Sequence, residues 1–152
     1  MTIWLSIGAV GALAFLCWKL YGRFGADRIA ALCEKRRLGS RIVSRGEFVD
    51  GSRRMEVALA LTRTTLFYES PDMSASLELQ WVSEIEYDTQ LSTGGAVAGG
   101  KVLRLRCYSH AFEFVLPNDL VPRWHMMLPP RAANEPVVLA APALVPVPVV
   151  SV

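Results

Sequence analysis

Met55-Glu56-Val57-Ala58-Leu59-Ala60-Leu61-Thr62-Arg63-Thr64-Thr65-Leu66-Phe67-Tyr68 is the stretch that decides the fold class. Met55, Val57, Leu59 and Leu61 alternate with Glu56, Ala58 and Ala60, the period of two that sets one face of a strand on a core. After Thr62-Arg63 a second run, Thr64 to Tyr68, is rich in β-branched and aromatic residues and reads as its neighbour. Outward from this pair the same period continues. Upstream, Ile42-Val43 and Phe48-Val49 form an extended stretch that ends at the turn dipeptide Asp50-Gly51. Downstream, Ser70-Pro71-Asp72 makes a turn, and Leu77, Leu79, Trp81, Ile85 and Tyr87 continue the alternation. Past the glycine-rich segment 93–100, Val102 to Cys107 and Ala111 to Leu116 form a hairpin around Tyr108-Ser109-His110. Leu120, Trp124 and Leu128 then recur every four residues, a short amphipathic helix with Pro122 in its first turn. Antiparallel strands followed by one helix, without βαβ alternation, define an α+β domain and exclude a doubly wound sheet.

The run Ala58 to Tyr68 resembles the strand pair of GRAM and bacterial PH-like domains, whose LT-x-x-x-L-hydrophobic pattern is carried here by Leu61-Thr62 and Leu66-Phe67. Leu79 to Tyr87 supplies the later hydrophobic-x-x-I step, and the hairpin 102–116 followed by a helix keeps the order. The resemblance covers about 41–128. It implies a PH-like antiparallel β-barrel or split barrel capped by a C-terminal helix, and by analogy a non-enzymatic binding module. Phosphoinositide recognition does not carry over, because the first hairpin loop offers only Arg53 and Arg54.

Ahead of the domain, Ile3 to Tyr21 reads IWLSIGAVGALAFLCWKLY, with Lys19 as its only charge. As a helix it extends about 28 Å, close to a hydrocarbon core of about 30 Å. Trp4, Trp18 and Tyr21 stand at its two ends, where amphipathic rings favour the interface. No Lys or Arg precedes the run, which argues against a cleaved signal peptide. Residues 1–22 are therefore expected to be a transmembrane anchor. The basic residues that follow place the domain on the cytoplasmic face of the inner (plasma) membrane. Gly8 and Ala12 form a small-xxx-small pair through which two such helices would approach as a homodimer.

Residues 23–40 read as a basic juxtamembrane helix with Lys35, Arg36 and Arg37 in its last turn. Two readings stay open: a helix lying on anionic headgroups, or plain stop-transfer charges. Arg104 and Arg106 alternate outward on a strand and, with Arg53 and Arg54, would form a basic patch toward the bilayer or ordinary edge protection. The partners expected are the membrane, a protein partner and, as the alternative, anionic lipid. A net charge of +2 gives no case for nucleic acid.

The chemical motifs fail on context. Gly95 to Lys101 satisfies G-x-x-x-x-G-K, but Val102 replaces the Mg²⁺-ligating Ser or Thr and a strand follows instead of a helix. Ser109-His110 has no orienting acid near in sequence, and His125 has no ligand-spaced neighbour. Glu84, Glu86 and Asp88 share one strand face, read as solvated. Cys17, Cys33 and Cys107 have neither zinc nor disulfide spacing and suit a reducing compartment. No enzyme activity, cofactor or metal is expected. Residues 129–152, rich in Pro, Ala and Val, read as a disordered tail: a docking peptide or a plain terminal extension.

Overall fold

The computed structural model describes residue 25 and residues 27–133. A helix, α1, occupies 27–37. Seven strands follow: β1 (Ile42–Asp50), β2 (Arg53–Leu61), β3 (Thr65–Ser70), β4 (Met73–Glu78), β5 (Val82–Asp88), β6 (Gly100–Cys107) and β7 (His110–Pro117), then α2 (Val121–Met127). They build one antiparallel sheet in the order β4-β3-β2-β1-β7-β6-β5.

That order forces the sheet to curl. β4 and β5 are its two edges, yet only the 3₁₀ turn Leu79–Trp81 separates them in the chain. Six strand spacings in a flat sheet would be about 29 Å. Four chain steps reach at most about 14 Å. The two edges must therefore meet at the 3₁₀ turn, which gives a half-barrel. This turn also breaks what the alternation Leu77-Leu79-Trp81 reads as one continuous strand, and it leaves Trp81 half exposed.

The concave face holds the core. Val57, Leu59, Leu61, Leu66, Leu103, Leu105, Phe114 and Leu116 are fully buried there, with Phe48 and Tyr68 stacked at 5.1 Å between ring centroids. Helix α2 plugs the opening: Trp124 is fully buried and donates its indole N–H to Ser44 Oγ at 3.0 Å. Tyr87 donates its hydroxyl to the Leu128 carbonyl at 2.8 Å. Beyond α2, Arg131 pairs with Ile85 on the free side of β5 through both backbone groups.

The convex face is covered too, in two places. Helix α1 lies over β2 and β3, where Arg36 sits on the Phe67 ring at 4.1 Å and the Cys33 thiol reaches the Ser44 carbonyl. Ala58 and Ala60 beneath are buried, so β2 is buried on both faces over its second half. Two small side chains leave the room a helix needs; the alternation of β2 alone cannot report that. Over β6, β7 and β1, the 89–99 loop folds back and seats Leu91 and Val97 against Val49, Val102 and Val115.

These observations correct the expected fold class. In place of a transmembrane helix leading into a barrel capped by one C-terminal helix, the described residues form an open seven-stranded half-barrel with two helices. Neither is long and apolar enough to cross a membrane. The stretch expected as an anchor, with Gly8, Ala12 and Cys17, lies outside the described residues, as does the tail from 134.

Candidate functional site

The strand register places the expected basic residues relative to one another. Arg54, Val49, Glu113, Arg104 and Glu86 are successive partners across β2, β1, β7, β6 and β5, one row on the convex face. Arg54 thus stands on the same side of the sheet as Arg104 and Arg106, whereas Arg53, its neighbour in β2, falls on the opposite face. Even the three on one side do not merge into a basic patch, because carboxylates are interleaved with them. Arg54 approaches Glu47 at 3.7 Å, Arg106 meets Glu84 at 2.7 Å, and Arg37 pairs with Glu34 on α1 at 3.2 Å. Arg36 grips Glu69 with Nε at 3.0 Å and Nη2 at 2.6 Å. Of the seven candidates, Lys35 and Arg53 alone lack an ion pair among the described residues.

Arg104 departs furthest from expectation. Only 12 % of its side chain is exposed, and it bonds Glu113 at 2.8 Å, Glu86 at 3.1 Å, Asp88 at 3.4 Å and the Gln90 carbonyl at 3.0 Å. Glu113, buried, also accepts from the Ser92 backbone N–H and hydroxyl at 2.9 and 3.0 Å. Burial pushes its carboxyl up, but Arg104 and Ser92 together outweigh that and hold it below its ordinary range. The Glu113 carboxylate raises the guanidinium pKa in turn. Asp88 is lowered first by the Thr89 and Gln90 backbone N–H groups. This cluster is a clasp: it ties the 89–99 loop to the convex face. The acidic trio Glu84, Glu86 and Asp88 is occupied by Arg104 and Arg106.

A similar clasp fixes α1. The Arg36 fork and Ser74 hold the buried Glu69 carboxyl below its ordinary range against the effect of burial. Arg36→Ala leaves that carboxylate with Ser74 alone. It is expected to destabilise the domain by about 2–3 kcal/mol at neutral pH, toward the low end for a buried pair because Arg36 is partly exposed. Urea unfolding of the full chain measures this; a change under 0.5 kcal/mol would show α1 to be an appendage.

A cleft of about 250 Å³ opens between the first turn of α1, β1, the end of β7 and the glycine-rich loop, lined by Ile29, Arg45, Glu47, Glu56, Gly99 and Pro117. Its charges are mixed. Glu47 and Glu56 stand directly opposite each other across β1 and β2, and Glu47 remains 41 % exposed. The glycine-rich run enters β6 at Gly100 and so offers no helix N-terminus to a phosphate. His125 stacks on Tyr87 at 4.0 Å; His110 is exposed beside Ser109. No group of three His, Cys, Asp or Glu among the described residues could hold a metal.

Exposed aromatics supply the feature that the sequence reading missed. β5 begins at Val82 opposite Cys107, so Trp81 just before it and Tyr108 just after it stand at one end of the sheet. They are 50 % and 78 % exposed. Tyr108 has φ +53°, the left-handed region that bulky residues avoid, in a two-residue hairpin loop between Cys107 and His110. That conformation costs on the order of 1 kcal/mol and holds the ring out in water. The alternation of Leu77, Leu79 and Trp81 assigns Trp81 to the core side. Tyr108 carried one signal, a large aromatic where a tight hairpin favours Gly, Asn or Asp.

No protein-family model matches the chain, and no curated protein matches it.

Proposed function

We propose that this chain is a non-enzymatic binding module of PH-like build, held at the cytoplasmic face of a membrane, that engages a protein partner through the Trp81–Tyr108 tip. The carrying observation is this pair of exposed aromatics, one of them fixed in a strained backbone conformation. Aromatic anchors dominate protein interfaces, since they offer much contact area for little rotamer entropy. The seven antiparallel strands and closing helix follow the order that the PH-like resemblance implies, which supports that build. The apolar run 3–21 and the basic residues after it support the membrane attachment. Five of the seven basic candidates are already paired, which argues against a headgroup reader.

The test is site-specific photocrosslinking of the full chain in its native membrane. A crosslinker at Trp81 or Tyr108 is expected to give the same discrete protein adduct, and one at the exposed Arg123 on α2 is not. Tyr108→Gly is expected to abolish the adduct formed from position 81 while stabilising the fold by about 0.5–1 kcal/mol, because glycine relieves the positive φ. Adducts at all three positions alike, or lipid adducts removed by reversing Lys35 and Arg53, would overturn the reading in favour of non-specific contact or of lipid.

A further inference from the structure

The half-barrel leaves its two edges unequal. On the free side of β5, Arg131 donates to the Ile85 carbonyl at 2.9 Å and accepts from its N–H at 2.8 Å. On its outer side β4 has no partner among the described residues. Its sequence Met73-Ser74-Ala75-Ser76-Leu77-Glu78 holds no proline, lysine or arginine to deter strand addition. Met73, Ala75 and Leu79 are only partly buried, so the apolar rim behind this edge is open as well.

Register fixes which groups β4 offers. Thr65 is opposite Glu78, and Leu79 N–H donates to the Thr64 carbonyl at 2.8 Å, so the odd residues of β4 bond β3. Ser74, Ser76 and Glu78 therefore direct their N–H and C=O outward. Their side chains lie on the convex face, where Ser74 meets Glu69, while Met73, Ala75 and Leu77 face the core.

This strand is complementary to itself. Two antiparallel copies of β4 centred on Ser76 set Ser76 opposite the partner's Ser76, and Ser74 opposite the partner's Glu78. All three outward residues then exchange both bonds, about six in total, and no like charges stand directly opposite one another. Centring on Ala75 instead opposes Asp72 to the partner's Glu78, and centring on Leu77 sets Ser74 against the partner's 3₁₀ turn. On the inner face, the Ser76 centre places Ala75 against the partner's Leu77 and Met73 against the partner's Leu79, which covers the open rim. The twofold axis of such a pair is perpendicular to the sheet, so both convex faces, each with its α1, look the same way. Two chains attached to one membrane need that arrangement.

We propose that two copies of this chain pair through β4, as antiparallel strands centred on Ser76, and join their half-barrels into one continuous sheet. Pairing over 6 residues is a small interface. Attachment to a common membrane makes it sufficient, because it raises the local concentration of the second copy. The contact is isologous and uses up the edge, which stops further strands from adding. This inference rests on the proposed membrane attachment and not on the Trp81–Tyr108 tip.

Amide exchange of the full chain in detergent micelles, followed as the protein-to-detergent ratio rises, tests it. The amides of Ser74, Ser76 and Glu78 are expected to exchange about tenfold more slowly with several chains per micelle than with one. Ser76→Lys and Ser76→Glu each set two like charges face to face and are each expected to abolish that slowing. An equimolar mixture of the two variants is expected to restore it, because opposite charges then meet. Ser76 is exposed on the convex face, so neither variant disturbs the fold of the single chain. No slowing at these three amides as the ratio rises, or slowing undiminished in Ser76→Lys alone, would overturn the proposal. Protection equal at every ratio would also overturn it, and assign the edge to the chain itself.

Discussion

Trp124→Ala is expected to destabilise the domain by about 4 kcal/mol, within the range for deleting a fully buried large aromatic. The indole fills the opening of the half-barrel and its N–H satisfies Ser44 Oγ, so truncation leaves a cavity and an orphaned hydroxyl in a buried residue. A domain of this size has total stability toward the lower part of about 5–15 kcal/mol, so the variant would sit close to its unfolding midpoint at 37 °C. Trp124→Phe separates the two effects: it keeps most of the ring volume, loses the donor, and is expected to cost about 1–2 kcal/mol. Urea titration followed by circular dichroism measures both. A loss under 1 kcal/mol for the alanine variant would mean that α2 is a removable lid and not the closure of the core.

Arg104→Ala is expected to cost about 3 kcal/mol at neutral pH and to open the 89–99 loop to proteases. The reason is what it leaves behind: Glu113, 4 % exposed, keeps its Ser92 donors but loses its counter-ion. Glu86 and Asp88 are exposed enough to rehydrate and add little. The pH dependence carries the sign. In the parent chain the Glu113 carboxyl lies below its ordinary 4.5, so its stabilisation is complete above that value and is lost as pH falls through the lowered folded-state pKa. Without Arg104 that hold weakens, so the carboxyl of the variant protonates at a higher pH than that of the parent chain. The stability gap between the two chains should therefore narrow as pH falls from 7 toward the acid side of the carboxylate range. A gap constant over that range would mean that Arg104 acts through packing alone. Arg104→Met with Glu113→Leu removes both charges and is expected to recover much of the loss.

The seven strands were nearly all legible in the sequence, because their inner faces obey a strict period of two, and Gly51 (φ +59°) adopts the turn conformation its Asp-Gly dipeptide requires. Helix α2 was legible from the four-residue spacing of Leu120, Trp124 and Leu128. Three things were not. Ala58 and Ala60 read as a solvent face, because nothing local reveals that α1 returns over them. Leu79 to Trp81 read as strand, because Leu79-Gln80-Trp81 keeps the apolar–polar alternation of the strand before it through the 3₁₀ turn. Arg104 and Arg106 read as free cations, because their carboxylates come from two other strands.

What the sequence determines by itself is local: where strands and turns fall, which face of each is apolar, and that the glycine-rich run cannot be a phosphate loop, since a strand follows it. Those properties depend on backbone preferences and side-chain order within a few residues. Which charges neutralise one another, which edge stays open and which aromatics remain in water were decided only when the sheet curled. Glu113 lies 9 residues from Arg104, Asp88 16 and Glu86 18, yet register sets all three around one guanidinium. Strand register and closure are long-range geometry, fixed by the packing of the whole core and invisible to any short window of sequence.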